Sequence, residues 1–218
     1  MYFYLYHVIC SRFYPKASRI MSSNMDPVPM WAVGGQCAAL NYQTPGPRNR
    51  LNDCKFFENN RCGYVAKPLH MTQILKTMSS KVRLTLRVIS AQRLPKPDSD
   101  LKGEVIDPYV IVQIAEGMTG ITSPTTEKTK IVKNNGFNPI WNQVFEFDIM
   151  KPETSFLYMT VMDDDGLLEN DDFIAFTSAP IHCLAAGFRH FQLYDNAGWR
   201  KGDHIYATLF CQIQINSV

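Results

Sequence analysis

The sequence lacks paired cysteines, a strong net charge, a bilayer-length apolar run and any sustained helical repeat. Its six cysteines (Cys10, Cys37, Cys54, Cys62, Cys183, Cys211) form no Cys-x-x-Cys pair and no compact framework. That pattern argues against a disulfide scaffold and fits reduced thiols in a cytosolic protein. A formal charge of +2 gives the whole chain no drive toward nucleic acid or membrane, so electrostatic function has to come from local patches. Residues 2–10 are apolar and aromatic, but they lack a basic leader and a small-residue cleavage site and are too short to span a bilayer. A chain opening on such a segment is expected to be cut from something larger.

What is present is strand pattern. At 218 residues and 45 % hydrophobic content the chain holds one large or two small globular domains. A boundary falls between about residues 67 and 81, where irregular Pro-, Gly- and Asn-rich sequence gives way to regular alternation. Val82, Leu84, Leu86 and Val88 alternate with Arg83, Thr85 and Arg87, the mark of a strand with one buried face. Similar runs follow at 109–114, 126–132, 141–149, 156–162, 173–178, 188–193 and 205–215. About eight short strands without a long helix predict an antiparallel β-sandwich over residues 81–218, with Trp141, Phe145 and Phe147 in its core.

Acidic residues gather where these strands run out into turns. Asp107 opens Asp107-Pro108-Tyr109-Val110; Asp163-Asp164-Asp165 follows Leu157–Val161; Asp171-Asp172 precedes Phe173-Ile174. A sandwich collects loops from separate strands at one end, which would crowd these carboxylates together. Two readings fit. A hard cation with oxygen ligands, Ca2+ above all, relieves the repulsion; alternatively the residues are solvated acidic turns, since Asp is a common turn residue.

The first half is less regular. Cys37–Asn41 reads as a short strand, Pro27–Trp31 as the start of a helix with proline in its first turn, and Phe56–Val65 as a hairpin. Some 70 residues with two or three strands bury too little surface to be stable alone, so this segment is expected to end a domain begun elsewhere.

These residues carry a family resemblance. Ser11-Arg12-Phe13-Tyr14-Pro15-Lys16, Ser22-Ser23-Asn24, Met30-Trp31, Ala39–Thr44 and Cys62-Gly63-Tyr64-Val65 resemble the end of the Y half of the barrel in eukaryotic phosphoinositide-specific phospholipase C. Val88–Pro95, Ile106–Val110, Asn134–Trp141 and Gly187–His190 resemble the C2 domain that follows that barrel, in a delta-like arrangement. The resemblance implies a mainly β chain: residues 1–70 the C-terminal fragment of a TIM-type α/β barrel, 71–80 a linker, and 81–218 a complete eight-stranded C2 sandwich. There are departures. Met21 stands where the family has an acid, Ala32 and Gly35 replace Asn and Cys around Trp31, and Ala175-Phe176 replaces Gly-Gln.

The resemblance also implies chemistry. Arg12 and Tyr14 would contact substrate, the guanidinium binding an inositol phosphate and the ring packing on the inositol face. In the C2 half Asp107, Asp163, Asp165 and Asp172 would bind Ca2+, with Asp98 or Asp100 as further first-loop donors, while Asp164 faces water. Leu167 and Leu168 at the third-loop tip would enter the lipid interface, each contributing about 1–2 kcal/mol if largely buried. Lys128, Lys130 and Lys133 form a modest basic strand face. The family takes its catalytic histidines and barrel calcium ligands from the first barrel half, and His7, His70, His182, His190 and His204 match none of those motifs. No catalytic residue is therefore assigned to the 218 residues, and alone they are expected to be inactive. The implied partners are an anionic phospholipid surface, a phosphoinositide substrate and the first barrel half, with no nucleic acid. The implied location is the cytoplasm, peripheral at the cytosolic membrane face. The alternative is a non-catalytic C2-type calcium- and phospholipid-binding adaptor.

Overall fold

The computed structural model describes residues 10–72, 80–97, 105–117, 119–121, 125–166 and 170–218. In the first half, β1 (Arg12–Phe13) and β2 (Cys37–Ala38) pair in parallel, the arrangement of neighbouring barrel strands. Parallel strands need a crossover, and it carries α1 (Val28–Ala32). Asp26 starts that helix by accepting a 3.0 Å hydrogen bond from the Val28 amide, and Pro29 sits in its first turn, where no amide is required. A second helix, α2 (Pro47–Lys55), opens with Pro47 after an extended Gly46, and a short α3 (Leu69–Thr72) follows.

The hairpin expected over Phe56–Val65 is not formed. Asn59, Asn60 and Arg61 all take left-handed backbone angles (φ of 53°, 55° and 60°) in a 3-10 turn. The chain there coils instead of extending, and no ladder forms. Asparagine tolerates that region better than most residues.

The second half is the expected sandwich. Its strands are β3 (Val82–Gln92), β4 (Pro108–Ala115), β5 (Thr126–Lys128), β6 (Ile140–Ile149), β7 (Phe156–Asp163), β8 (Asp172–Pro180), β9 (Gly187–Gln192) and β10 (Thr208–Ser217). Two four-stranded sheets form, in the orders β6-β3-β10-β9 and β5-β4-β7-β8, and every pair within them is antiparallel. Leu84, Leu86 and Val88 of β3 pack inward against Val110, Val112, Phe145, Phe147, Met159 and Val161. Trp141 is only half-buried at the edge of this core and donates its indole N–H to the Pro108 carbonyl at 3.3 Å. All six cysteines are free, as expected.

A second apolar cluster joins the halves. Val28 and Trp31 of α1 and Leu51 of α2 meet Ala115, Ile121, Phe156, Tyr158 and Phe176 from the outer face of the sheet. This explains why β7 shows no alternation: Leu157, Met159 and Val161 face the sandwich core, whereas Phe156 and Tyr158 face the helices. A strand covered on both faces reads as a continuous apolar run. Each fully buried large side chain contributes about 1.5–3 kcal/mol, so the first half is held by packing the sandwich supplies. The seam is also tightly fitted. A Cβ on Gly120, at φ +57°, would lie 2.0 Å from Asp26 Oδ2, the atom that accepts the Ile121 amide at 2.7 Å. Phe176, one of the departures from the family pattern, belongs to this seam.

Candidate functional site

The sheet register brings the acidic turns to one end of the sandwich. Pro108 pairs with Asp163, and Asp163 with Asp172. The ends of β4, β7 and β8 therefore lie side by side, with Asp107 one residue beyond the first. Asp107 and Asp163 are buried, and Asp165 and Asp172 are exposed. Asp98, Asp100, Leu167 and Leu168 lie outside the described residues.

Three of these carboxylates accept backbone amides. Asp163 Oδ1 accepts the Asp107 amide at 2.6 Å, Asp107 Oδ1 accepts the Asn134 amide at 2.6 Å, and Asp165 Oδ2 accepts the Asp172 amide at 3.0 Å. Burial raises the Asp163 carboxyl above the usual carboxylate range; its bond to the Asp107 amide opposes this, and the charges of Asp165, Asp107 and Asp172 add to it. The negative charges thus act on one another.

Lys133 answers part of that charge. Its ammonium lies 2.8 Å from Asp107 Oδ2 and 3.0 Å from Asp164 Oδ2. Burial alone would raise Asp107, but the Lys133 ammonium and the Asn134 amide outweigh it and hold the carboxyl low. Two expectations change here. Asp164 does not face water as a spare turn residue, since its side chain is only 19 % exposed and pairs with lysine. Lys133 does not extend the Lys128–Lys130 face but turns into the rim. The pairing joins residues from different turns, and no local pattern announces it. Asp171 accepts a short hydrogen bond from the Tyr109 hydroxyl; burial, and after it this bond and the Asp171 charge, raise that phenol's pKa.

The donors at this rim are all oxygens, the set a hard divalent cation takes, so the residues fit Ca2+ in chemistry. Asp107, Asp163, Asp165 and Asp172 would hold it, with Lys133 as the competing positive charge.

In the first half, Arg12 of β1 and Tyr14, one residue past the strand's end, come together across two residues of chain. The Arg12 guanidinium lies 4.8 Å from the Tyr14 ring centroid, and both side chains are exposed. Arg12 borders a cleft of about 750 Å³ whose wall includes Trp31, Cys37, Ala39, Lys55, Tyr64 and His182. His190 stacks on Phe210 with centroids 4.5 Å apart, and His204 bonds the Ile174 carbonyl at 3.1 Å. Both have structural work.

A two-sheet antiparallel domain with carboxylates at adjacent strand ends is a C2-type module, here packed on a fragment with parallel barrel strands. Family models agree: "Phosphatidylinositol-specific phospholipase C, Y domain" matches residues 4–70 and "C2 domain" matches residues 82–196. The chain belongs to the phosphoinositide-specific phospholipase C family, a family of hydrolases. It is 38 % identical over 225 residues to 1-phosphatidylinositol 4,5-bisphosphate phosphodiesterase delta-1 of Rattus norvegicus, covering 98 % of this chain and 29 % of that protein. It is also 38 % identical over 219 residues to inactive phospholipase C-like protein 1 of Homo sapiens, covering 95 % of this chain and 19 % of that protein. The crystal structure of L. pealei PLC21 superimposes with a TM-score of 0.81 at 27 % identity, covering 97 % of this chain and 27 % of that one. The chain thus spans between a fifth and a third of the length of these proteins.

Proposed function

We propose that these residues are the C-terminal portion of a phosphoinositide phospholipase C, with the barrel boundary near residue 70 and the C2 domain beginning near residue 81. The C2 rim attaches the enzyme to anionic phospholipid on the cytosolic membrane face in response to Ca2+. The observation that carries this reading is the side-by-side placement of Asp107, Asp163 and Asp172 by the β4-β7-β8 register.

Without a divalent ion the rim is acidic and an anionic leaflet repels it. Bound Ca2+ supplies positive charge there and coordination sites that lipid oxygens can share. Asp163 and Asp107 set the floor of the site through their amide bonds, and Asp165 and Asp172 face outward. Leu167 and Leu168 adjoin the rim in sequence and are assigned to the lipid interface. Arg12 and Tyr14 are assigned to phosphoinositide binding. The guanidinium presents two donors to a phosphate, and its contact with the Tyr14 ring holds it in place. Hydrolysis of phosphatidylinositol 4,5-bisphosphate to diacylglycerol and inositol trisphosphate requires general acid and base groups within reach of the reacting oxygens. Those groups are assigned to the first barrel half, the partner that closes the cleft beside Arg12.

The test of the rim is sedimentation with liposomes containing anionic lipid, in Ca2+ and in chelator. Binding in Ca2+ alone, abolished in an Asp163→Asn, Asp165→Asn double variant, is the expected result. Equal sedimentation under both conditions overturns the reading. A second reading, a non-catalytic lipid-binding adaptor, is favoured by the equal identity to a relative named inactive. Co-expression with a first barrel half from a delta-type relative separates the two, since hydrolysis in that complex supports the enzyme and its absence the adaptor.

A further inference from the structure

Glu58, His182 and Cys183 meet where the first half packs against the far end of β8. Glu58 Oε2 lies 3.2 Å from His182 Nε2. One donor atom from each of the three residues (carboxylate oxygen, imidazole nitrogen, thiol sulfur) lies within 4.8 Å of the other two. His182 and Cys183 are consecutive in the 3-10 turn Ile181–Cys183 that ends β8, whereas Glu58 enters from the left-handed turn of the first half. The other carboxylate oxygen, Glu58 Oε1, is buried without a hydrogen-bond partner. Native structures rarely leave such an atom unpaired, because the desolvation penalty is then uncompensated.

We propose that Glu58, His182 and Cys183 form a zinc site that ties the barrel segment to the sandwich. The donor set selects the ion. Calcium takes oxygens, whereas a mixed oxygen, nitrogen and sulfur set with three protein ligands and one open position suits Zn2+. Zinc bonds of about 2.0–2.3 Å put tetrahedral donors roughly 3.3–3.7 Å apart. The exposed His182 and Cys183 side chains can close the remaining gap by rotation. Lys55 is the neighbouring positive charge, but its ammonium lies over the Trp31 and Phe156 rings at 5.1 and 5.8 Å, and the side chain hydrogen-bonded to Glu58 is His182, at 3.2 Å. Coordination replaces the thiol proton, which leaves to solvent, with a sulfur–zinc bond. The site is independent of the calcium rim. Asp172 and Pro180 are the two ends of β8, a separation of roughly 25–30 Å at strand rise.

The test uses the 218-residue chain, stripped with chelator and titrated with Co2+ as a spectroscopic probe. One equivalent should bind with tetrahedral visible bands and a near-ultraviolet thiolate band, both erased by Zn2+. Cys183→Ser should remove the thiolate band. His182→Asn and Glu58→Gln should each weaken binding by at least about tenfold, and the Asp163→Asn, Asp165→Asn variant should leave it unchanged. A second readout needs no variant: Zn2+ should slow alkylation of Cys183 by at least about tenfold while Cys37 reacts as before. An octahedral Co2+ spectrum, a thiolate band that survives Cys183→Ser, or equal alkylation with and without Zn2+ overturns the site.

Discussion

Replacing Arg50 probes how the two halves are held together. Arg50 is only 7 % exposed, yet none of the ion pairs among the described residues includes it. Its Nη1 donates to the Tyr158 hydroxyl at 2.9 Å and its Nε to the Asn196 carbonyl at 3.4 Å, with a further short bond from Nη2 to Asn196 Oδ1. The guanidinium also lies over the Phe173 and Phe176 rings, 4.0 and 5.0 Å from their centroids. Hydrogen bonds to a charged group contribute about 1.5–3 kcal/mol, and a desolvated cation–π contact about 2 kcal/mol. Releasing a buried charge returns several kcal/mol of desolvation. Arg50→Met, which keeps the stem and leaves Tyr158 and Asn196 unpaired, should therefore destabilise by about 2 kcal/mol. That is a drop in Tm of roughly 4–8 °C for a chain of this size. Arg50→Lys should fare no better, because an ammonium cannot reach both partners from above the rings. Urea unfolding followed by tryptophan fluorescence, with Trp31 buried at the seam, measures both variants. Wild-type stability in Arg50→Lys would show that charge alone suffices, and wild-type stability in Arg50→Met would show that the apolar contacts carry the seam unaided. Either result refutes the reasoning.

The remaining predictions concern the rim. Asp163 has a carboxyl raised above its ordinary value, chiefly by burial, so the folded state holds its proton more tightly than the unfolded chain does. Stability from this group rises as pH falls through the window between the raised and ordinary values, and at pH 7 the charge is a penalty. Asp163→Asn should thus raise the Tm of the calcium-free chain at neutral pH and abolish any further rise on adding Ca2+; the difference in Tm should shrink as pH falls into the ordinary carboxylate range. Lys133→Met removes the ammonium that neutralises Asp107 and Asp164. It should lower the Ca2+ concentration for half-maximal liposome binding several-fold, since less positive charge opposes the ion; an unchanged midpoint would place Lys133 outside the site.

Much of the sandwich was legible because one-sided burial writes itself as alternation, and β3 is the plainest case. β7 was found by its apolar and β-forming content, but only the structure showed why Phe156 and Tyr158 interrupt the alternation. β5 as a regular strand stops at Lys128, short of the expected 132, but the Thr129 and Val132 amides still donate to the Val110 and Pro108 carbonyls of β4 at 2.9 and 3.1 Å, which carries Lys133 to Asp107. Helix α2 escaped notice because its buried face includes Asn49 and Arg50 beside Leu51 and Cys54, a polar disguise for an inward surface; Pro47 after Gly46 was the available signal. The acidic rim was readable from strand ends. Glu58 and His182 are 124 residues apart, and their meeting depends on the seam.

Because β7 serves two cores at once, the sandwich is not a separable module in this chain. A version beginning near Lys81 would strip the cover from Phe156, Tyr158 and Phe176, opening an aromatic patch on a face that water does not normally reach. Patches of that kind drive self-association. The lone C2 half should oligomerise or precipitate where the longer chain stays dispersed, and detergent or an added helix of matching shape should rescue it.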